Sequence, residues 1–359
     1  MDPTSLIPSP DTIPAPAWLF QVLNIFTFMI HILFVNVVIG GSLIMLFSRL
    51  TRKDEPLDQS LNGSIAGKIP TTFALAINFG VAPLLFIQVL YGHFIYSSSI
   101  FMAVFWIMII PLLIIAYYGA YVHVKKYSAS KTLSMAALIL MSAIVLYIAF
   151  AFTNNMTLML QPEKWSAYFA NRSGTILNLN DATFLPRYLH FIVASVAVAG
   201  LFMSIVWHIR GKKGMKGVEE KINTGLKIFA IATCVQVAIG FWFLLAIPSD
   251  FILAFMGRNL FYTIVLFAGI LLAIGAIISA FLGKLIPSLI HLVAVVAAMV
   301  ITRVNLRSLY LNDVFSFSDL QLAPQYGVMA LFFIIFAIGL VVVWMMLKIA
   351  NQAAERRAA

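Results

Sequence analysis

Three histidines lie inside long apolar runs of this 359-residue chain, where polar side chains are unexpected. They are His31, His93 and His190. A polar side chain in hydrocarbon is costly unless it has a partner, so such a residue predicts a functional site. A neutral imidazole nitrogen is a common axial ligand of haem iron. The residue types therefore predict haem ligation within a membrane.

Acidic residues are absent from the same apolar runs. The chain has 13 Asp and Glu residues, and none of them occurs between Asp58 and Glu163. Proton relays across membranes are built mainly from carboxylates. The sequence therefore argues against a carboxylate-based proton pump.

Arginines accompany these histidines. Arg187 and His190 are three residues apart, so one helix face carries both. Arg303 and Arg307, four residues apart, form the other basic pair that enters an apolar run. No acid within the runs neutralises them, so we expect a bound anion such as a haem propionate. The alternative is that the long side chains of Arg303 and Arg307 extend to the membrane surface.

The composition predicts the elements that must position these side chains. With 62% hydrophobic and 10% charged residues, the chain is expected to be an all-α, polytopic transmembrane helix bundle. Apolar stretches of about 20 residues, the length that crosses a bilayer, recur along it and form a single membrane domain over 1–359. The expected spans are 18–48, 70–98, 100–124, 132–160, 184–210, 224–247, 252–281, 286–309 and 325–348.

Loop charges predict the orientation of the bundle. Basic residues concentrate in the connections 49–69, 125–131 and 210–227, which belong inside by the positive-inside rule. The N-terminus carries Asp2 and Asp11 but no Lys or Arg, so it belongs outside, and nine spans place the C-terminus inside. This asymmetry accounts for the net charge of +10, and no nucleic acid partner is expected. We expect a multi-pass protein of a bacterial-type inner (cytoplasmic) membrane.

Cys234 is the only cysteine. A single cysteine excludes internal disulfides, cysteine-ligated iron–sulfur clusters and covalent c-type haem attachment. We expect Cys234 to be a small core residue.

Depth separates the histidines into two groups. At about 1.5 Å of rise per residue, His190 and His93 lie one to two turns below the outer surface, and His31 lies nearer the middle. These three are able to share the outer half of the bundle. The remaining histidines lie near the inner ends of their spans, where ordinary interfacial side chains are expected: His123, His208 and His291.

Three stretches of sequence carry a resemblance to a known family. The run IFTFMIHILFVNVVIGGSLIM, with His31, resembles the first helix of the haem-bearing large subunit of cytochrome bd quinol oxidases. The run RYLHFIVASVAVAG resembles that family's helix whose histidine binds the low-spin haem b, with His190 in that role and Arg187 in place of a lysine. The second span, INFGVAPLLFIQVLYGHFIYSSS, is similar to a sequence motif in another helix of the family. The order of the motifs agrees over residues 18–210.

The resemblance implies haem b as cofactor, between one and three groups, with two favoured. His190 would bind one haem together with Met256, which lies in FILAFMGRNLFY. His31 would bind a second, with His93 as a possible partner. The three arginines would face the propionates, and a quinone is a possible further ligand.

Departures from the family pattern bear on activity. The third span has no glutamates, and Val300 stands where the family has a haem-ligating glutamate. The outer loop that helps to bind quinol is reduced to about Pro248–Asp250. We therefore expect a membrane subunit of a quinol-linked oxidoreductase complex. It would pass electrons between membrane quinone and an outer-face partner such as a c-type cytochrome or an iron–sulfur protein.

Two alternatives stay open. One is a divergent quinol oxidase that reduces oxygen and receives protons through water wires. The other is a haem-free transporter or assembly protein of the same fold, in which His31 and His190 only hydrogen-bond other helices. The polar residues expected to join such a network are Asn24, Asn36, Asn78 and Gln236.

Overall fold

The computed structural model describes residues 3–51 and 62–358. Within these ranges nine helices are long and apolar enough to cross a membrane, which confirms the expected all-α bundle. Asp2 and residues 52–61 of the first basic loop, which the orientation argument uses, lie outside the described residues.

In chain order the helices are α1 (Ala17–Thr51), α2 (Asn62–Ala66), α3 (Ile69–Phe101), α4 (Ala103–Ile107), α5 (Ile109–Lys126), α6 (Lys131–Met159), α7 (Phe184–Lys212), α8 (Glu219–Ala246), α9 (Ser249–Leu253), α10 (Leu260–Phe281), α11 (Leu285–Leu311) and α12 (Tyr326–Ala358). The longest connection among the described residues is 160–183, between α6 and α7. Helices α4 and α5 form one span, and α2 and α9 are too short to cross.

We call the side of the bundle at which α1 begins the N-terminal side. Because consecutive spans run in opposite directions, α3, α6, α8 and α11 end on this side, and α7, α10 and α12 begin on it. Loop charges predict that it faces outward.

Close packing of α1 against α7 depends on Gly40. A β-carbon at Gly40 would overlap the backbone carbonyl of Ser195, so only glycine permits this approach. In the same contact the Ser195 hydroxyl donates to Oδ1 of Asn36 at 2.9 Å. Gly40 thus allows close helix packing, and Asn36 has the interhelical partner expected of it.

The seventh span begins later than the sequence predicts. Instead of a continuous helix over 252–281, a π-helical turn at Ala254–Arg258 interrupts it, and α10 starts at Leu260. Gly257 adopts φ of +120°, a conformation that favours glycine. Asn259 then caps α10 by accepting from the Tyr262 backbone amide at 3.2 Å. The connection after α8 is therefore longer than the expected Pro248–Asp250.

Cys234 is exposed on α8, so its expected place in the core is wrong. The buried face of α8 runs through Leu226, Phe229, Ala230 and Thr233, and Cys234 lies beside that face rather than on it.

Candidate functional site

His190 lies on α7, about two turns from the start of the helix at Phe184. Its Nδ1 is buried and has no hydrogen-bond partner among the described residues. Gly240 on α8 faces the ring, because a β-carbon there would lie 3.3 Å from Cε1 and 3.6 Å from Nδ1 of His190. The structure therefore places a polar nitrogen without a partner in the interface between α7 and α8.

Gln236 lies one turn before Gly240 on the same face of α8. Its Oε1 is also buried and without a partner. Buried polar atoms in native structures are nearly always hydrogen-bonded, to protein, water or ligand. These two atoms near one helix interface are therefore able to bond to water or to a ligand.

His31 lies on α1 and contacts α3. Its Nδ1 is 2.9 Å from the carbonyl oxygen of Ala76. Because a carbonyl only accepts, Nδ1 carries the proton and Nε2 keeps its lone pair. Histidines that bind metal through Nε2 commonly have this arrangement. Gly80, one turn along α3, again provides the space for the ring, since a β-carbon there would lie 2.7 Å from Cε1.

Arg187, Arg303 and Arg307 form the arginine cluster, on α7 and α11 near the N-terminal side. Arg303 lies within electrostatic range of the other two. No acid among residues 3–51 and 62–358 forms an ion pair with any of the three. The cluster is therefore a concentration of positive charge inside the bundle that the protein leaves largely unneutralised.

Aromatic rings take the place of acids beside these guanidinium groups. Arg303 lies over Phe28 at 4.4 Å from the ring centroid, and Arg307, which is 4% exposed, lies over Tyr91 at 4.9 Å. Phe28 is also 6.4 Å from the ring of His31, between centroids. The arginine cluster thus extends to the surroundings of His31, and Arg303 exerts an electrostatic influence on that residue.

Arg187 lies one turn before His190 on α7. Its guanidinium group is 4.9 Å from the centroid of Phe243, and its Nη2 donates to the Thr183 hydroxyl at 3.4 Å. Its Nε is buried without a partner. This unused donor, like Nδ1 of His190, is available to a ligand between the helices.

His93 is separate from His31. It lies thirteen residues beyond Gly80 on α3, about 20 Å along the helix. Its ring packs against Phe94 and Phe315 at centroid distances of 4.3 and 4.9 Å. The structure does not bring the two histidines together, and the pairing of His93 with His31 at one haem stays a prediction.

Met256 lies in the interruption before α10. Its side chain is 43% exposed and its backbone is non-helical, with φ of −109° and ψ of 33°. No contact recorded among the described residues joins it to His190. Its role as the second ligand of that haem stays a prediction.

Two of the inner histidines bond to backbone carbonyls. His123 is only 1% exposed, and its Nδ1 is 3.0 Å from the Ser134 carbonyl across the α5–α6 contact. The expectation of an interfacial, solvated His123 is therefore wrong. His291 bonds the Pro287 carbonyl of its own helix at 2.8 Å and faces Gly275.

A cleft of about 460 Å³ opens on the N-terminal side, away from the histidines. Lys164, Asn178 and Asn180 supply its polar lining. No group of three or more His, Cys, Asp or Glu able to hold a metal ion occurs among the residues that the structure describes. Haem needs only one or two protein ligands, because the porphyrin supplies the other four.

Sequence reasoning missed the groups that surround the histidines. Gly80 and Gly240 face His31 and His190, but a helical glycine carries no local sign of its partner. Gln236 was expected to join an interhelical network, yet its Oε1 has no partner in the described chain. Asp181, which is buried just before α7, was not singled out. Its spacing to Thr183 and Arg187 was the available signal.

No family model, curated protein or solved structure matches this chain.

Proposed function

We propose that this chain is a haem b-binding membrane subunit that transfers electrons between membrane quinone and a redox partner on the outer face, such as a c-type cytochrome. The observation that supports it most is the combination of His190 with the arginine cluster. Among the described residues, Nδ1 of His190 is buried without a partner and no acid forms an ion pair with the three arginines. A ligand that carries both a metal and carboxylates satisfies both.

The residues present fit haem in three respects. His31 has an Nε2 lone pair fixed by the bond from Nδ1 to Ala76, and His190 is held in the space that Gly240 leaves. The arginine cluster offers charge-assisted hydrogen bonds to carboxylates, which guanidinium groups bind well. When bound, haem would supply a one-electron redox centre in the membrane.

The chain's own residues would then set the properties of that centre. His190 and His31 would ligate the haem iron and orient the haem. Arg187 and Arg303 would neutralise the haem carboxylates, which are otherwise costly in hydrocarbon. The surrounding apolar helices would exclude water. The expected partners are the lipid bilayer, a quinone and further subunits of an oxidoreductase complex in an inner, cytoplasmic-type membrane.

A haem-free transporter or assembly protein is the second candidate, and one observation favours it. His31 bonds Ala76, as a purely structural histidine in a bundle would. Asn24 and Asn36 likewise find partners on other helices, at Pro83 and Ser195. His190, whose Nδ1 has no such partner, is the residue that distinguishes the two candidates.

Pigment content tests the proposal. We expect the purified protein to show a reduced b-type absorbance band, with haem quantified as the pyridine haemochrome. His190→Ala should lose one haem equivalent, and His291→Ala, a matched membrane histidine that also faces a glycine, should keep all of them. A colourless wild-type preparation from haem-replete cells, or full haem in His190→Ala, would contradict the proposal. Oxygen uptake by quinol-reduced membranes would identify the divergent oxidase instead.

A further inference from the structure

Asp181 is a buried carboxylate at the start of α7, and it is 8% exposed. One carboxylate oxygen accepts from the Thr183 backbone amide at 2.7 Å and from the Thr183 hydroxyl. The other accepts from the side-chain amide of Gln161 and lies 3.8 Å from Nζ of Lys164. Three hydrogen bonds and one ion pair, from three residues, therefore fix this carboxylate.

Residues around the cleft also hold Gln161 and Lys164, the two partners of Asp181 that precede it in the chain. The Asn178 side-chain amide donates to Gln161 at 2.7 Å, and Lys164 donates to Oδ1 of Asn178 at 2.8 Å. Asn178 is itself fixed, because its backbone amide donates to Asn154, which is fully buried. The network is thus anchored in the body of the bundle and does not depend on α7 alone.

Thr183 connects Asp181 to Arg187. The threonine hydroxyl is buried and has one hydrogen, which it donates to Asp181. Its lone pairs are then directed to other donors, and Nη2 of Arg187 lies 3.4 Å away. Because Asp181 fixes the direction of the hydroxyl, it also fixes the direction from which Thr183 receives the guanidinium group.

Arg187 is the member of the arginine cluster that has Asp181 within electrostatic range. The charges that act on Arg303 come from the other two arginines instead. Charges inside a bundle are poorly screened by salt, so the distance between Asp181 and Arg187 matters for anything bound beside them.

We propose that Thr183, which Asp181 orients, is a positioning residue that holds Arg187 toward the anionic side of the ligand. In this way Thr183 sets the reduction potential of the bound haem. This inference rests on the proposed haem-binding function. A cation held close to a haem favours the reduced form, which carries one positive charge fewer than the oxidised form. Loosening Arg187 should therefore lower the midpoint potential.

Redox titration of the purified, haem-loaded protein tests this with five variants. Thr183→Val removes the hydroxyl without changing charge, and we expect a midpoint potential shifted downward, in the same direction as for Arg187→Gln. Thr183→Ser, which keeps the hydroxyl, should retain the wild-type potential. In the double variant of Thr183→Val and Arg187→Gln, the threonine change should add nothing. Thr157→Val, which also loses a buried hydroxyl on the N-terminal side, should leave the potential unchanged.

Asp181→Asn changes charge as well as hydrogen bonding, so it is compared in the wild-type and Arg187→Gln backgrounds. Loss of the negative charge alone should raise the potential, as in the Arg187→Gln background. In the wild-type background the looser Arg187 opposes this effect, so we expect a smaller upward shift or a downward one. In protein with full haem, Thr183→Val and Asp181→Asn could each shift the potential by the same amount in the wild-type and Arg187→Gln backgrounds. That result would overturn this inference and leave the proposed function standing. A protein without haem would overturn both.

Discussion

Gly240 on α8 faces the imidazole of His190 on α7, and a β-carbon at Gly240 would lie 3.3 Å from Cε1 of the ring. The same relationship joins Gly80 to His31, with the corresponding distance at 2.7 Å. At both of the histidines that we propose as haem ligands, the neighbouring helix thus presents bare backbone. A side chain larger than a hydrogen atom at Gly80 or Gly240 would occupy space that the ring and any ligand need.

Gly240→Leu should therefore reduce haem binding. Overpacking costs about 1–3 kcal/mol, which corresponds to a loss of roughly 5- to 150-fold in affinity. We expect less haem per protein by pyridine haemochrome assay after washing in detergent. Gly339→Leu on α12, where nothing lies within 4 Å of the new β-carbon, is the control and should keep its haem. Equal haem in the two variants would show that the space beside His190 is not used.

Gly40→Ala tests the packing of α1 against α7 independently of any ligand. The new methyl group would overlap the Ser195 carbonyl, and two backbones must move apart to accept it. We expect a loss of roughly 1–3 kcal/mol in stability, as for other overpacked cores, measured as a lower melting temperature in detergent. Gly67→Ala adds a methyl group where nothing lies within 4 Å and should melt like the wild type. Identical melting of both variants would contradict the tight crossing.

The sequence predicted the spans well because hydropathy and length are local properties. All nine expected spans correspond to helices, and the main departure is the seventh, where Gly257 breaks the helix near its start. A single glycine inside an apolar run does not show whether it will adopt a positive φ. The interruption also involves residues farther along the chain, since the Gly257 amide donates to Thr263 and Asn259 caps the next helix.

Pairing between helices could not be predicted in the same way. Gly240 and His190 are fifty residues apart, and their contact depends on how α7 and α8 are rotated about their axes. His123 shows the same effect, because Lys125 and Lys126 suggest solvent while the histidine between α5 and α6 is buried. Depth along a helix is readable from sequence, whereas the direction in which a side chain points is not.

Arg303→Met should have opposite effects on the empty and the loaded protein. Without a bound anion, Arg303 is repelled by Arg187 and Arg307 and has no acidic partner in the described chain. Removing this buried cation should raise the stability of haem-depleted protein by roughly 1–3 kcal/mol. In the loaded protein the same change should weaken haem retention, because a counterion of the propionates is lost.

Melting temperatures of haem-depleted and haem-loaded samples measure both effects. Arg258→Met is the matched control, since that arginine is largely exposed and pairs with Asp250 at 3.6 Å. It should change neither quantity appreciably. A uniform destabilisation of both forms by Arg303→Met would indicate that the arginine cluster only supports the fold.

His123→Ala should destabilise the protein without changing its pigment. The substitution removes the contact between His123 and Ser134 and leaves a cavity between α5 and α6, at the end of the bundle opposite the arginine cluster. Loss of a buried hydrogen bond and of side-chain volume together cost about 2–4 kcal/mol. We expect a lower melting temperature, an unchanged reduced-minus-oxidised spectrum and an unchanged haem content per folded protein. His208→Ala, on the partly exposed inner part of α7, should melt close to the wild type. Loss of a haem band in His123→Ala at unchanged stability would instead assign this histidine to a second, inner haem.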